Sequence, residues 1–348
     1  MSKTVIVLGA GATRGASFVD HEQNPCLPPL DGDFFTQFQR ITNSKHNNLV
    51  KQVIADTVGL FGTNFGATLE TVFTTIEHTT RMLEATGSSR EFAREDLKEK
   101  RERLMQAIAA TLESALTKQV ATGQASLGLL PCEYTDNLVR LLTYEDTIIS
   151  FNYDCLIDDS LKRCGDKKWH PRYGYGVPLG SHGSRLIGDK RWSPVIPGTE
   201  VNTIHLFKLQ GSLNFLLSGN TLTLKERPYT KQRGNLQFTI IPPEFQKAYN
   251  TTFFVKIWQK AASAIHRAEN LIFIGYSLPE ADMHAAALLR VHVSKESLKN
   301  LVVVNPDPLA RKRIREVVRR GLSPKTKVYS FDTVKEFSTL PRTLWDSP

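Results

Sequence analysis

With 348 residues, 41% of them hydrophobic and 23% charged, the chain has the composition of an ordinary globular protein and is long enough to bury a sizeable core. Its 44 Lys and Arg against 35 Asp and Glu leave a net charge of +9, which reads as an ordinary basic surface or as attraction to a polyanion, either nucleic acid or a dinucleotide in a cleft. The four cysteines, Cys26, Cys132, Cys155 and Cys164, form no C-x-x-C pair, which argues against a zinc module or a disulfide scaffold and fits a reducing cytoplasm; no stretch approaches the ~18 uninterrupted apolar residues of a membrane span.

In chain order, the first element is the apolar run Thr4–Leu8, which ends in glycines and reads as a buried strand rather than a signal peptide. A long gap follows, and residues from about 20 to 145 read as an inserted helical subdomain. Ser88-Ser89 with Glu91 marks one helix start, and Arg90–Val120 is dense in Glu, Lys, Arg, Ala and Leu. Further continuous, β-branched runs are Thr147–Phe151, His205–Leu209, Asn270–Ile274 and Leu301–Val304, with a weaker one at Lys327–Phe331. Residues from about 167 to 202, rich in Gly, Pro, Trp and Tyr, read as an irregular loop insertion. Thr251–Glu269 and Ala281–Val293 are patterned as helices. Strands alternating with helices predict an α/β fold: a Rossmann-like, doubly wound, mostly parallel sheet in a single domain spanning 1–348. The basic tail, Arg311-Lys312-Arg313-Ile314-Arg315 and Arg319-Arg320, lacks aromatic interleaving, so a nucleic-acid contact has only weak support.

In such sheets ligands bind beyond the carboxyl ends of the strands, so the residues leaving each strand are the candidate site. The first strand is followed by Gly9-Ala10-Gly11-Ala12-Thr13, whose glycines would let a pyrophosphate approach the backbone, although the third glycine falls too late for a strict G-x-G-x-x-G. The second is followed by Asn152-Tyr153-Asp154. Asn152 can orient a water or a ribose hydroxyl and Asp154 can accept from an amide or hydroxyl; a plain helix cap is the alternative. Gln210-Gly211-Ser212, Gly275-Tyr276-Ser277 and Asn305 leave the remaining strands. Small and amide residues at five exits suit a long, polar, phosphate-bearing ligand.

Taken in order, these exits resemble the sirtuin family. Gly9-Ala10-Gly11 is similar to its dinucleotide loop, Ser150-Phe151-Asn152-Tyr153-Asp154 to its Asn-x-Asp motif, and Lys208-Leu209-Gln210-Gly211-Ser212 to the segment that carries its catalytic histidine. Gly275-Tyr276-Ser277 and Asn305 resemble its later NAD-contacting turns; the helical insertion lies outside the match. Without zinc-ribbon cysteines, the Phe-Asn-Tyr-Asp and Gly-Tyr-Ser-Leu-Pro forms look like the bacterial sirtuin-like NAD hydrolases of anti-phage defence. The resemblance implies NAD as substrate; the cysteine spacing argues against a metal, and the lack of a long apolar stretch against a membrane. The resemblance also implies a homo-oligomer, or pairing with a partner ATPase or an Argonaute-type sensor. It places the pyrophosphate at Gly9–Ala12, the reacting half at Asn152 and Asp154, and the adenosine half at Ser277 and Asn305.

One position departs from the family. Gln210 stands where the histidine belongs, and an amide cannot take a proton. His205 is an odd number of residues earlier on the same strand and points to the other face; His182 falls in the irregular insertion, and His284 reads as a helix residue. The expectation is an NAD hydrolase made weakly active or inactive by Gln210. A non-catalytic NAD or ADP-ribose sensor, or a scaffold recruiting a partner effector, is the alternative, and a protein deacylase is opposed by the missing zinc cysteines.

Overall fold

A computed structural model of the chain describes residues 3–86, 91–117, 128–165, 168–177, 202–218, 221–225, 238–244, 251–280 and 282–344. The first strand, β1 (Thr4–Leu8), leads into a helix of a single turn and a half, α1 (Ala10–Arg14). Helices α2 (Phe34–Gln39), α3 (Asn47–Phe61), α4 (Leu69–Ala85), α5 (Glu91–Leu116) and α6 (Glu133–Leu141) follow before β2 (Thr147–Ser150). The described part of the segment between the first two sheet strands is therefore mostly helical. Then come α7 (Leu156–Cys164), α8 (Pro171–Gly174) and β3 (His205–Lys208). The short strands β4 (Gly211–Ser212), β5 (Phe215–Ser218), β6 (Thr221–Leu224) and β7 (Thr239–Ile240) precede α9 (Thr252–His266). The chain closes with β8 (Asn270–Ile274), α10 (Met283–His292), β9 (Asn300–Val304), α11 (Pro308–Val318), β10 (Lys327–Phe331) and α12 (Val334–Ser338).

All six runs read as strands from their apolar, β-branched character lie in one parallel sheet of order β10-β9-β8-β1-β2-β3. Strands β1, β2, β8 and β9 are buried along their whole length, as continuous apolar runs in a sheet covered on both faces must be. The order reverses on leaving β1: β2 and β3 lie to one side, β8 to β10 to the other. This makes the carboxyl ends of β1 and β8 the topological switch point, where an open α/β sheet forms its ligand crevice.

Local signals set the helix starts. The Thr251 hydroxyl accepts from Phe254 N at 3.5 Å to cap α9, Thr68 caps α4 through Thr71 N at 3.2 Å, and Asp307 caps α11 ahead of Pro308. The described part of the expected loop insertion, residues 168–177, is not wholly irregular, because Pro171 at the first position of α8 and the His170 ring as its cap allow one helical turn. The paired strands β4–β7 and β5–β6 leave no sequence signature, because ladders of two to four residues are too short for a periodicity to show. A second apolar cluster, with Phe34, Phe38, Phe73 and Ile108 at its centre, packs the helical segment and extends to Cys155, Leu213 and Ile240 beside the exits of β2 and β3.

Candidate functional site at the strand exits

The register brings five strand ends abreast. Leu8 pairs with Ser150 and with Ile274, Ser150 with Lys208, and Ile274 with Val304. One residue beyond that line stand Gly9, Phe151, Leu209, Gly275 and Asn305; two beyond stand Ala10, Asn152, Gln210 and Tyr276. Candidates up to 296 residues apart in the chain thus share one edge of one sheet.

The glycines of the first exit have a duty that their sequence pattern did not reveal. A Cβ on Gly9 would meet Tyr276 Cα at 2.5 Å, and one on Gly11 would meet Gly275 O at 2.7 Å. Gly275 itself has φ of +60°, and its Cβ would lie 1.9 Å from Ala12 N. The two turns therefore press backbone against backbone across the switch point. Gly9 N donates to Ile274 O at 3.1 Å, Gly11 N to Gly275 O at 2.8 Å and Ala12 N to Gly9 O at 2.9 Å. Three N–H groups expected to face a pyrophosphate are committed to the protein, and the missing side chains make room for a neighbouring turn.

The second exit carries a directed chain of hydrogen bonds. Asn152 Nδ2 donates to Gly9 O at 3.0 Å and to Thr13 Oγ1 at 3.1 Å; Thr13 Oγ1 donates to Asp154 Oδ2 at 2.8 Å; Asp154 Oδ1 accepts from Leu156 N at 2.9 Å. The Gly9 carbonyl can only accept, so the amide nitrogen must face it and Oδ1 must face away. That oxygen is buried and has no partner among the described residues. A buried acceptor left open costs about 1–3 kcal/mol, which a ligand or water hydrogen bond would recover. Asp154, 4% exposed with both oxygens engaged, is placed behind Thr13 rather than in the open crevice, so it acts on the exit through Thr13 and Asn152. Burial pushes its carboxyl above the usual range, against the opposing field of Lys208.

At the third exit Gln210 is 6% exposed, and its main-chain O accepts from Ile241 N at 2.8 Å; among the described residues its side-chain amide has no hydrogen-bond partner. Gly211, at φ of +79°, and Ser212 pair with Ile240 and Thr239, and a Cβ on Gly211 would strike Thr239 O at 2.3 Å. Ser212 is fully buried, its Oγ donating to Tyr153 O at 3.3 Å. These two residues shape the turn below Gln210.

Beneath lies a buried polar network that the strand pattern concealed. Lys208 Nζ sits 3.0 Å from Asp158 Oδ2 and donates to Asp154 O; Tyr175 Oη donates to Asp158 Oδ1 at 2.5 Å, and Asn214 Nδ2 to the same oxygen at 3.2 Å. Burial opposes the lysine's charge, but Asp158 and the neighbouring Cys155 and Asp154 outweigh it and hold the ammonium above its usual pKa. The only clue in the sequence was a lysine inside an otherwise apolar strand. Cys155 is buried, and its thiol is pushed up to about 12, so it supplies no nucleophile here.

The other side of the crevice is aromatic and braced. Phe151 stacks on Tyr276 with ring centroids 4.6 Å apart, and Trp258, whose Nε1 donates to Leu209 O at 3.2 Å, meets Phe151 edge-on. Tyr276 Oη donates to Asp282 at 2.5 Å. Asn305 Nδ2 donates to Tyr276 O at 3.2 Å, and its Oδ1 accepts from Asp307 N at 2.9 Å, so both ends of this amide clip turns together. Ser277 is exposed, and its O accepts from Arg313 Nε at 3.2 Å. Of the histidines, His205 opens β3, at the far end of the sheet from Gln210. His284 lies on α10 with its ring 6.4 Å from Trp258, and His182 lies outside the described residues.

A family model described as SIR2-like domain matches residues 146–322, just over half of the chain. The match runs from the start of β2 past the end of α11 and so takes in the exits of β2, β3, β8 and β9. It leaves out β1 with its glycine turn and the helical segment. Among curated proteins no match was found.

Proposed function

The chain belongs to the SIR2-like domain family, and we propose from that premise that it binds NAD across the switch point. In a form with histidine at 210, it would hydrolyse NAD to nicotinamide and ADP-ribose. The observation that carries the reading is the buried, unpartnered Oδ1 of Asn152, fixed in direction by the two acceptors of its amide nitrogen. An acceptor so placed suits a ribose hydroxyl or the attacking water. Ser277 and the braced Tyr276–Asn305 side suit the adenosine half, and no metal ion is needed.

In the reaction the bond between nicotinamide and the ribose carbon breaks, a bond from water oxygen to that carbon forms, and one water proton must leave. An acceptor near the oxocarbenium-like centre stabilises it in a desolvated site. Histidine at 210 could carry the proton away; Gln210 can hydrogen-bond but not titrate. Gln210 also favours the second reading, a sensor that holds NAD or ADP-ribose without turnover. The setting that accords with the resemblance is destruction of NAD on phage infection, by a homo-oligomer or with a partner ATPase or Argonaute-type sensor.

The test is nicotinamide release by the protein and by Gln210→His, with ADP-ribose binding followed by calorimetry. Binding by both proteins, and release about a hundredfold faster in the histidine variant, are expected. Binding with no release by either protein selects the sensor. No binding of NAD or ADP-ribose at millimolar ligand overturns both readings.

A further inference from the structure

We propose that the face formed by α11 and the edge strand β10 holds the phosphate backbone of nucleic acid without reading its sequence. Residues 311–327 contain eight of the chain's basic residues and one acidic residue, Glu316, so most of the net charge of +9 is gathered on this one segment. The helix is fixed by burial of Ala310, Ile314 and Val318 against the sheet, which leaves its charged side outward. Arg311, Arg315 and Arg319 recur every fourth residue, about 6 Å apart along the axis. With Lys312, the single carboxylate Glu316 and Ser330 of β10, they line a depression of about 470 Å³. Because α11 runs antiparallel to the strands, its last residues and the start of β10 lie at the same end, bringing Arg319 and Arg320 toward Lys325 and Lys327.

The charges divide into two groups. Near the crevice, Arg311 pairs with Asp332, Arg313 lies 3.6 Å from Asp307, and Lys312 lies 3.9 Å from Glu316. Farther along, Arg315 donates to Ser330 Oγ at 2.7 Å, and among the described residues Arg315, Arg319, Arg320, Lys325 and Lys327 have no carboxylate partner. All five are exposed. Five uncompensated cations repel one another, and a polyanion that releases its condensed counterions relieves that repulsion. The depression is concave and lies between a helix and a strand edge, a shape that suits a rod-like strand better than a flat bilayer. The apolar stripe of α11 is buried through Ala310, Ile314 and Val318, which leaves Leu309 as its one exposed large apolar side chain, too little for insertion into lipid. The absence of interleaved aromatic residues predicts backbone contact without base stacking.

The experiment is fluorescence anisotropy of a labelled 30-base-pair DNA duplex with the full chain, from 50 to 200 mM salt, alongside polyglutamate and vesicles of mixed neutral and anionic lipid. Five phosphate contacts predict a log–log salt slope of about −4.5, or about a 500-fold loss over that range. Arg315→Glu/Arg319→Glu/Arg320→Glu should cut affinity at least tenfold and reduce the slope by about 2.7. Lys325→Glu/Lys327→Glu, on a different element, should do the same more weakly and keeps the test open if the triple variant misfolds. Lys98→Glu, on α5, should change nothing. No DNA binding at 50 mM salt, affinity unchanged in both multiple variants, or tighter binding to polyglutamate or vesicles than to DNA would each overturn the proposal. Since the variants lie outside the strand exits, this outcome is independent of whether NAD is bound.

Discussion

At the amino-terminal end of the sheet, Asn300 Nδ2 donates to Asn270 Oδ1 at 2.8 Å, and Asn270 Nδ2 donates to Thr4 Oγ1 at 3.2 Å, a ladder across β9, β8 and β1. Beside it, the fully buried Asp146 accepts from Thr4 N at 3.0 Å and from Arg342. At the carboxyl end the same residue type is used differently: Asn152 spends its nitrogen on the protein and leaves its oxygen open, and Gln210 is bonded to the described protein only through its main chain. Asn270 spends both ends of its amide on the protein, whereas Asn152 leaves a buried acceptor open. On the proposed reading, what sets Asn152 apart from the other strand-end amides is its unspent oxygen. Asn305, whose amide is spent at both ends, belongs with Asn270 even though it sits at the site's edge.

The severest way to break this contrast is Gly275→Ala. It forces a side chain to within 1.9 Å of Ala12 N at a positive φ, and about 4 kcal/mol of stability should be lost, read as a lower denaturant midpoint. A midpoint within error of the parent would show that the two turns are not in contact. Next comes a matched pair. Asn270→Ala should cost about 3 kcal/mol, because it strands Asn300 and Thr4 in the core, and should leave ADP-ribose affinity unchanged. Asn152→Ala should cost less stability but lower ADP-ribose affinity at least tenfold and abolish any nicotinamide release; equal effects of the two variants on affinity would erase the distinction between the two ends.

A smaller effect tests how Asn152 is aimed. Thr13→Val removes both the acceptor for Asn152 and the donor to Asp154, so affinity for ADP-ribose should fall several-fold, while Thr13→Ser should restore it. Loss in both variants would mean that shape, not the hydroxyl, matters there. The smallest effect concerns the two buried lysines. Asp158 keeps Lys208 charged, whereas burial pushes Lys225 down to about 8. With a folded pKa below the unfolded one, Lys225 favours folding most above pH 10.5, and that contribution is lost as pH falls through about 8. Lys225→Met should therefore raise the melting temperature at pH 7 by a few degrees and by progressively less toward pH 10; a gain that does not vary with pH would assign it to packing alone.

The sequence by itself determined the sheet and singled out a candidate site. Six apolar, β-branched runs had to be strands, and a parallel sheet puts their exits on one edge; glycines and amides after those runs therefore named Gly9, Asn152, Gln210, Gly275 and Asn305 before any contact was known. The resemblance to the sirtuins implies that glutamine stands at a histidine position. What only the tertiary structure decided was how each polar atom is spent. Gly9 and Gly11 lost their side chains to the neighbouring Gly275 turn, Asp154 was turned toward Thr13, Asn305 became a clip, and Lys208 found Asp158 fifty residues earlier in the chain. Strand periodicity is a local property, written in adjacent residues. Hydrogen-bond satisfaction depends on which turn lies within about 3 Å of which other turn, and that is set only when β1, β2, β3, β8 and β9 come into register.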